Sequence, residues 1–386
     1  MDTVFAEARI DEQMLSEVRK FIGTEIRIDH SVNNEEATRT AILKFADGIG
    51  DPNPLWRDFQ FASKTPYGNI VAPPSWVFSV FAGTQYGFRG LGGFHNRTHA
   101  YFYRPVYLGD KIVPKMKCLD IVGPKKSQFA GQVLIEKNET TYTNHNNQVV
   151  AKVFFDVIHF ERRRARKKGK YSKYVLPHPW TEEQLKEIEE ESLKKTWNEE
   201  TPFWEDVEVG HELGPLVKGP FTMTDVIAFL IGGGAPIPRL CAHGVALRHY
   251  RKHPAWCFRD PTSKGLEPIF AVHYNFQAAK AQGLPYPYDI GFQRQCWQIQ
   301  LLTDFAGPEG WVKESYCEYR GFVFYSDVVR LRGKVVEKFI DEEGEYCVRI
   351  ETEATNQRGD NVMPGYGIVA LRSRSGKTSP AERRRR

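Results

Sequence analysis

The sequence predicts an α+β protein built from two tandem copies of one unit, a long helix packed on an antiparallel β-sheet. Three observations predict it. Apolar, helix-like stretches come first and are followed by consecutive strands. That order suits an antiparallel sheet with a helix on one face, not a chain of βαβ crossovers. The second half repeats landmarks of the first in the same order and at similar spacing. A charged stretch with only a weak apolar stripe separates the two copies.

Taken in order, residues 1–20 read as helical, with Met14, Val18 and Phe21 at helical spacing. A short strand, Glu25 to Ile28, follows. Asn33 or Asn34 is placed to cap a helix through Glu35–Ala46, with acidic residues in its first turn. Next comes FADGIGDPNPLWRDFQFASKTPYGNIVAPP, residues 45–74, in which Asp51-Pro52-Asn53-Pro54 makes a tight turn. A second apolar run, Trp76 to Ala82, reads as the long helix. A glycine-rich loop then leads into strands at about His95–Tyr103, Lys111–Ile121, Gln128–Asn138 and Val149–Glu161, marked by alternation and β-branched or aromatic residues.

The second copy repeats these marks. FLIGGGA (229–235) falls on FADGIGD (45–51), and HYNFQAA (273–279) falls on WRDFQFA (56–62). Phe305–Gly307 matches Phe81–Gly83, and Ser326-Asp327 matches Gly109-Asp110. Strands are expected at Val328–Phe339, Glu345–Glu353 and Tyr366–Arg372. The resulting division is an N-terminal unit at 1–161, a linker at 162–200, a C-terminal unit at 201–373 with an insert at 236–270, and a basic tail at 374–386.

Composition bounds the function classes. A chain of 386 residues with 41% hydrophobic and 13% aromatic content builds a sizeable core and is not disordered. The six cysteines are scattered, with no CxxC pair and no Cys/His cluster at zinc spacing, so free thiols in a reducing cytosol and no metal are expected. Residues 1–20 contain no signal-like apolar core, and no apolar run approaches the roughly 20 residues that span a bilayer. A soluble, cytoplasmic protein with no membrane partner is expected. The net charge of +5 is concentrated in RRRARKKGK (162–170) and RRRR (383–386), which read as a solvated linker and tail. Neither run is interleaved with aromatics, so no nucleic-acid partner is expected, while a phosphate-bearing small ligand stays open. Gly232–Gly234 is not part of a GxGxxG after a strand, and Ser75 and Ser79 lack a GxSxG context, which sets aside dinucleotide binding and serine hydrolysis.

ADGIGDPNPLWRD (46–58) with IVAPP (70–74) resembles the signature of MaoC-like dehydratases, hot-dog enzymes related to (R)-specific enoyl-CoA hydratases. VHYNFQAAKAQGLPYPYDIGFQRQ and NQRGDNVMPG are similar to the C-terminal half of the double hot-dog acyl dehydratases, and the resemblance spans about residues 20–372. It implies a double hot-dog fold and reversible addition of water to an α,β-unsaturated acyl-CoA. The CoA thioester is then the substrate and small-molecule partner, with no separate cofactor. A homodimer of double hot-dogs is compatible with the resemblance. A non-catalytic acyl-CoA binder and another hot-dog activity, such as a thioesterase, are the alternatives.

In the family motif Gly-Asp-x-Asn-Pro-x-His, the Asp and His form the acid/base pair and the Asn orients water. Asp51, Asn53 and Pro54 match, but Trp56 stands at the histidine position and cannot take a proton. In the second copy His273 holds the histidine position, while Ala235 stands where the aspartate is expected. Three readings follow. Asp51 and Asn53 work with a partner such as His95 or His99, or His273 works with Asp289, or the sites bind without catalysing. The resemblance names Asp51, Asn53 and His273 as catalytic, and Trp56, Ala72, Pro73, Asp289, Gly291 and Arg294 as substrate-binding. Against it stand local alternatives: Asp51 as a turn cap, and Arg294 in an ion pair.

Overall fold

The computed structural model describes residues 5–26, 34–80, 87–171, 173–233 and 240–385. Twelve strands run through these residues: β1 (Glu25–Ile26), β2 (Gly92–Phe102), β3 (Ile112–Ser127), β4 (Gly131–Asn144), β5 (Val149–Phe160), β6 (Glu212–Lys218), β7 (Cys257–Arg259), β8 (Leu266–Pro268), β9 (Trp311–Glu318), β10 (Val329–Ile340), β11 (Tyr346–Asn356) and β12 (Gly365–Ala370). Ten of them form one sheet in the order β1-β3-β4-β5-β2-β9-β12-β11-β10-β6. The order is symmetric about its middle. β2 and β9 are the matching strands of the two units, and they pair antiparallel from Arg97↔Glu318 to Tyr101↔Glu314. The two units therefore share one continuous sheet.

The repeat is visible in local geometry. Asp58 caps the short helix Phe59–Ala62 by accepting from Gln60 and Phe61 amides, and Asn275 caps Phe276–Gln282 by accepting from Gln277 and Ala278 amides. Each follows the motif position by two residues, Asp58 after Trp56 and Asn275 after His273. Asp110 accepts from the Tyr107 amide as Asp327 accepts from the Phe324 amide, and each is preceded by a residue at positive φ, Gly109 at 87° and Ser326 at 75°.

The units differ in their central helix. In the second, Gly291–Ala306 is a sixteen-residue helix whose residues from Phe292 on are all buried. Its glutamines are hydrogen-bonded: Gln295 to Ser315, and Gln298 to Thr352 and Ser315. In the first unit, the long helix expected over Trp76–Ala82 is a six-residue 3-10 helix, Pro74–Ser79, ending at an extended Val80. The run Trp-Val-Phe-Ser-Val is β-branched and aromatic, a weak helix former. Phe81–Gly83, expected to close it, and Ala235 lie outside the described residues, as do Ile28 and Asn33. Among the described residues the first unit has no counterpart of Gly291–Ala306. Residues of its strands, among them Met116, Asn138 and Phe155, instead line a cavity.

Two basic stretches expected in solvent are partly folded in. Arg162 is buried and donates to Gln282 Oε1 at 2.7 Å and to the Ala6 and Gly90 carbonyls. It opens a helix, Arg162–Lys168, and a second linker helix spans Glu182–Ser192. In the tail, Arg384 makes a two-pronged ion pair with Glu345 at 2.6 and 2.7 Å. The charge run alone gave no sign of these buried acceptors. The insert contributes a helix, His243–Lys252, and the β7–β8 ribbon. No helix among the described residues is long and apolar enough to cross a membrane.

Candidate active site

The two motif copies lie at opposite ends of the Gly291–Ala306 helix, and they have become different things. Asp51 is 1% exposed and every oxygen is engaged. Oδ2 accepts from Trp56 Nε1 at 2.8 Å, and Oδ1 accepts from the Asn53 amide at 3.0 Å. Asn53 caps the short helix Pro54–Arg57 by accepting from Leu55 N, and its amide donates to Asp304 Oδ1 at 3.4 Å. Thr196 donates to the other Asp304 oxygen at 2.5 Å. Lys218, from β6, donates to the Ile49 and Gly50 carbonyls at the end of the Arg39–Ile49 helix and to Gln300 Oε1.

Burial pushes Asp51 up from the usual carboxylate range, burial and then Asp51 push Asp304 up to about 7, and burial brings Lys218 down to about 8. Both carboxyls lie near the negative end of a buried helix, and the Lys218 ammonium, bonded to carbonyls and to Gln300, acts on them only through its charge. Beside them is a cavity of only about 30 Å³, lined by Trp56 and Ala72 among others, with Pro73 next in the chain. The indole that replaces the motif histidine fills the carboxylate. This is a sealed polar knot.

At the helix's other end is a cavity of about 540 Å³, lined by both units. His273 ends the 3-10 helix Ile269–His273, and its Nδ1 lies 2.9 Å from the Tyr288 carbonyl oxygen. A carbonyl only accepts, so Nδ1 carries the proton and Nε2 keeps its lone pair. Burial lowers the ring to about 4, so it is neutral near pH 7. Gly291 and Phe292, the first residues of the helix, line the same cavity. Their amides have no intrahelical carbonyl to bond, and no side chain caps them. A Cβ at Gly291 would sit 2.9 Å from the His95 ring, so only glycine fits there.

The remaining expected residues sort between these two places. Asp289 lies in the cavity wall, but its carboxylate is held two-pronged by Arg294 at 2.6 and 2.8 Å and by the Val323 amide. Arg294 spends its other donors on the Gly321 and Val362 carbonyls. This pair frames the site and braces the loop that carries Tyr288. His95, considered as a partner for Asp51, instead faces the His273 cavity, with Nε2 2.8 Å from Thr98 Oγ1. His99 pairs with Glu314 on the β2–β9 seam. Asp304 and Lys218 went unseen in sequence because they come from 251 residues or more than 160 residues away along the chain. Only a three-dimensional fold brings them in.

The family model described as "FAS1-like, dehydratase domain region" matches residues 20–153. A UPF0336 protein of Thermobifida fusca is 27% identical over 131 residues, which cover 32% of this chain and 83% of its own. One from Parafrankia sp. is 31% identical over 114 residues, covering 28% of this chain and 73% of its own. One from Streptomyces avermitilis is 32% identical over 85 residues, and the match spans 57% of that relative. A solved MaoC-like dehydratase superposes with a TM-score of 0.61 over 92% of this chain and 99% of its own, at 16% identity. A Mycobacterium tuberculosis protein described as having a double hotdog fold gives 0.52 over 91% and 96%, at 10% identity. Those structural likenesses establish the fold, a double hot-dog. The chain belongs to the UPF0336 family, and residues 20–153 of its N-terminal unit match the FAS1-like dehydratase domain region.

Proposed function

We propose that the chain is an acyl-thioester hydratase/dehydratase that adds water reversibly to an α,β-unsaturated acyl-CoA, with His273 as its acid/base. One observation carries the reading: a histidine whose tautomer is set by the Tyr288 carbonyl faces a roomy cavity beside the uncapped N-terminus of a buried helix. The dehydratase-domain match and the fold support it.

The chemistry follows from these parts. The thioester carbonyl oxygen sits at the first-turn amides of Gly291–Ala306, where N–H groups and the positive helix end stabilise the charge that develops on it. Water adds to the β-carbon while His273 Nε2 accepts one of its protons. The same imidazole then delivers that proton to the α-carbon, so one molecule of water is added and the ring returns to neutral. Dehydration is the reverse. Exposed Arg89, Lys170 and Arg320 line the cavity and complement the phosphates of CoA.

The test is hydration of trans-2-enoyl-CoA thioesters, followed by loss of the conjugated thioester absorbance. His273→Ala lowers kcat by about 100-fold or more, the usual size of a general acid/base contribution. Full turnover by His273→Ala on every enoyl-CoA tried would reject the assignment. Tight acyl-CoA binding with no turnover by the unmodified protein would favour a binding role instead.

A further inference from the structure

The inner face of β4 is polar where an acyl tunnel calls for apolar side chains. Alternate residues point inward and are buried: Leu134, Glu136, Asn138, Thr140 and Tyr142. Glu136, Asn138 and Tyr142 line the large cavity. Glu136 is answered by His159, whose Nε2 lies 2.6 Å away and whose ring stacks on Phe88. Asn138 has no such partner among the described residues. It is 1% exposed, and neither its Oδ1 nor its Nδ2 has a hydrogen-bond partner. A buried carboxamide left unpaired is costly, and such groups in folded proteins are nearly always satisfied.

Its place in the cavity is set by register. Asn138 pairs with Phe155 on β5, and the Phe155 ring touches His95 and Phe292, at the helix end where His273 works. The carboxamide therefore lies further into the first unit, in the space beneath its sheet that no long helix among the described residues fills. A plain alkyl chain there would leave both amide atoms unpaired.

We propose that this cavity selects an acyl group bearing a hydroxyl or carbonyl oxygen partway along it, and that the Asn138 carboxamide is the residue that reads that oxygen. A carboxamide can donate to a carbonyl or accept from a hydroxyl, so one side chain serves either oxygen function. The Glu136–His159 pair beside it keeps the region polar. The inference rests on the reading of the cavity as an acyl-thioester site. It concerns binding, which can be measured without turnover.

Saturated thioesters separate the two readings, because a hydratase cannot convert them. Octanoyl-CoA and a series of its derivatives with one hydroxyl or keto group at successive carbons from C4 onward, which leaves out the 3-hydroxyacyl product of hydration, are titrated calorimetrically against the full chain. At least one oxygenated isomer binds roughly tenfold or more tighter than octanoyl-CoA, the scale set by one satisfied buried hydrogen bond. Asn138→Leu abolishes that preference and binds octanoyl-CoA at least as well. The same variant melts at a higher temperature than the unmodified protein when empty, whereas a structural role for Asn138 would lower it. Equal affinity for all isomers would mean that water satisfies Asn138, and would overturn the proposal. So would an equal loss of affinity for all of them in Asn138→Leu. If no thioester binds but His273→Ala still abolishes enoyl-CoA turnover, the specificity proposal fails and the catalytic one stands.

Discussion

Asp51 and His273 hold two different positions of the same repeated motif, the counterpart of His273 in the first copy being Trp56, yet one is locked and the other is open. Asp51 has both oxygens occupied by its own loop and lies at the carbonyl end of the central helix. His273 has one nitrogen tied to a carbonyl and the other free for a cavity at the amide end. The helix between them is sixteen residues, roughly 24 Å long, so the two cannot act as one pair. The helix dipole also favours anionic character at the His273 end and opposes it at the Asp51 end. A motif residue is thus judged by where its spare valences go. On the proposed reading, the first copy stabilises the fold and the second does the chemistry.

The largest effect that would sharpen this contrast is on stability. Asp51→Ala leaves Trp56 Nε1 and the Asn53 amide without their partner and removes a buried carboxyl that Lys218 acts on through its charge, and should cost about 3–5 kcal/mol in denaturant unfolding, as breaking buried charge networks does. A loss below about 1 kcal/mol would mean that the knot relaxes to solvent.

Next in size is a pH effect from the same knot. The Asp304 carboxyl sits near 3.8 unfolded and is held up to about 7 when folded, by burial and then by Asp51. Between those values the folded chain binds more protons than the unfolded one. The contribution of this carboxyl is therefore greatest below about pH 4 and declines by up to about 1.4 kcal/mol per pH unit as pH rises towards 7. Asp304→Asn should flatten that slope in unfolding curves taken from pH 4 to 8, and an unchanged slope would remove Asp304 from the account.

Smaller is the effect of Gly291→Ala. The added methyl meets His95 and displaces the first helical turn, and kcat should fall about tenfold with little change in melting temperature. Smallest is Trp56→His, which restores the motif histidine in the first copy. The cavity there is only about 30 Å³, so no gain in hydration rate is expected. A rise in rate would mean that the first site opens to substrate.

Much of the fold was legible in the sequence. Period-two alternation placed β2, β3, β5, β10 and β11 close to their observed ranges. The repeated Trp/His-x-Asp/Asn-Phe-Gln landmark marked two matching caps at Asp58 and Asn275. The short-range motif also led to His273. What stayed hidden depends on contacts distant in sequence. Lys218 and Asp304 reach Asp51's neighbourhood from the second unit. Arg162 looks like one more charge in a basic run, but its acceptors are carbonyls of Ala6 and Gly90. Asn138 sits in an alternating strand, where a polar residue reads as the solvent face. Among the described residues no long helix covers that face in the first unit, and it lines a cavity instead.

The most direct measurement is the hydration rate of His273→Ala and Asp51→Asn side by side, each beside its melting curve. His273→Ala should lose about 100-fold or more in kcat with its melting temperature nearly unchanged. Asp51→Asn, which keeps an oxygen for Trp56, should retain its rate and melt at a shifted temperature. A His273→Ala enzyme that stays active, beside an Asp51→Asn enzyme that is folded and inactive, would contradict the account.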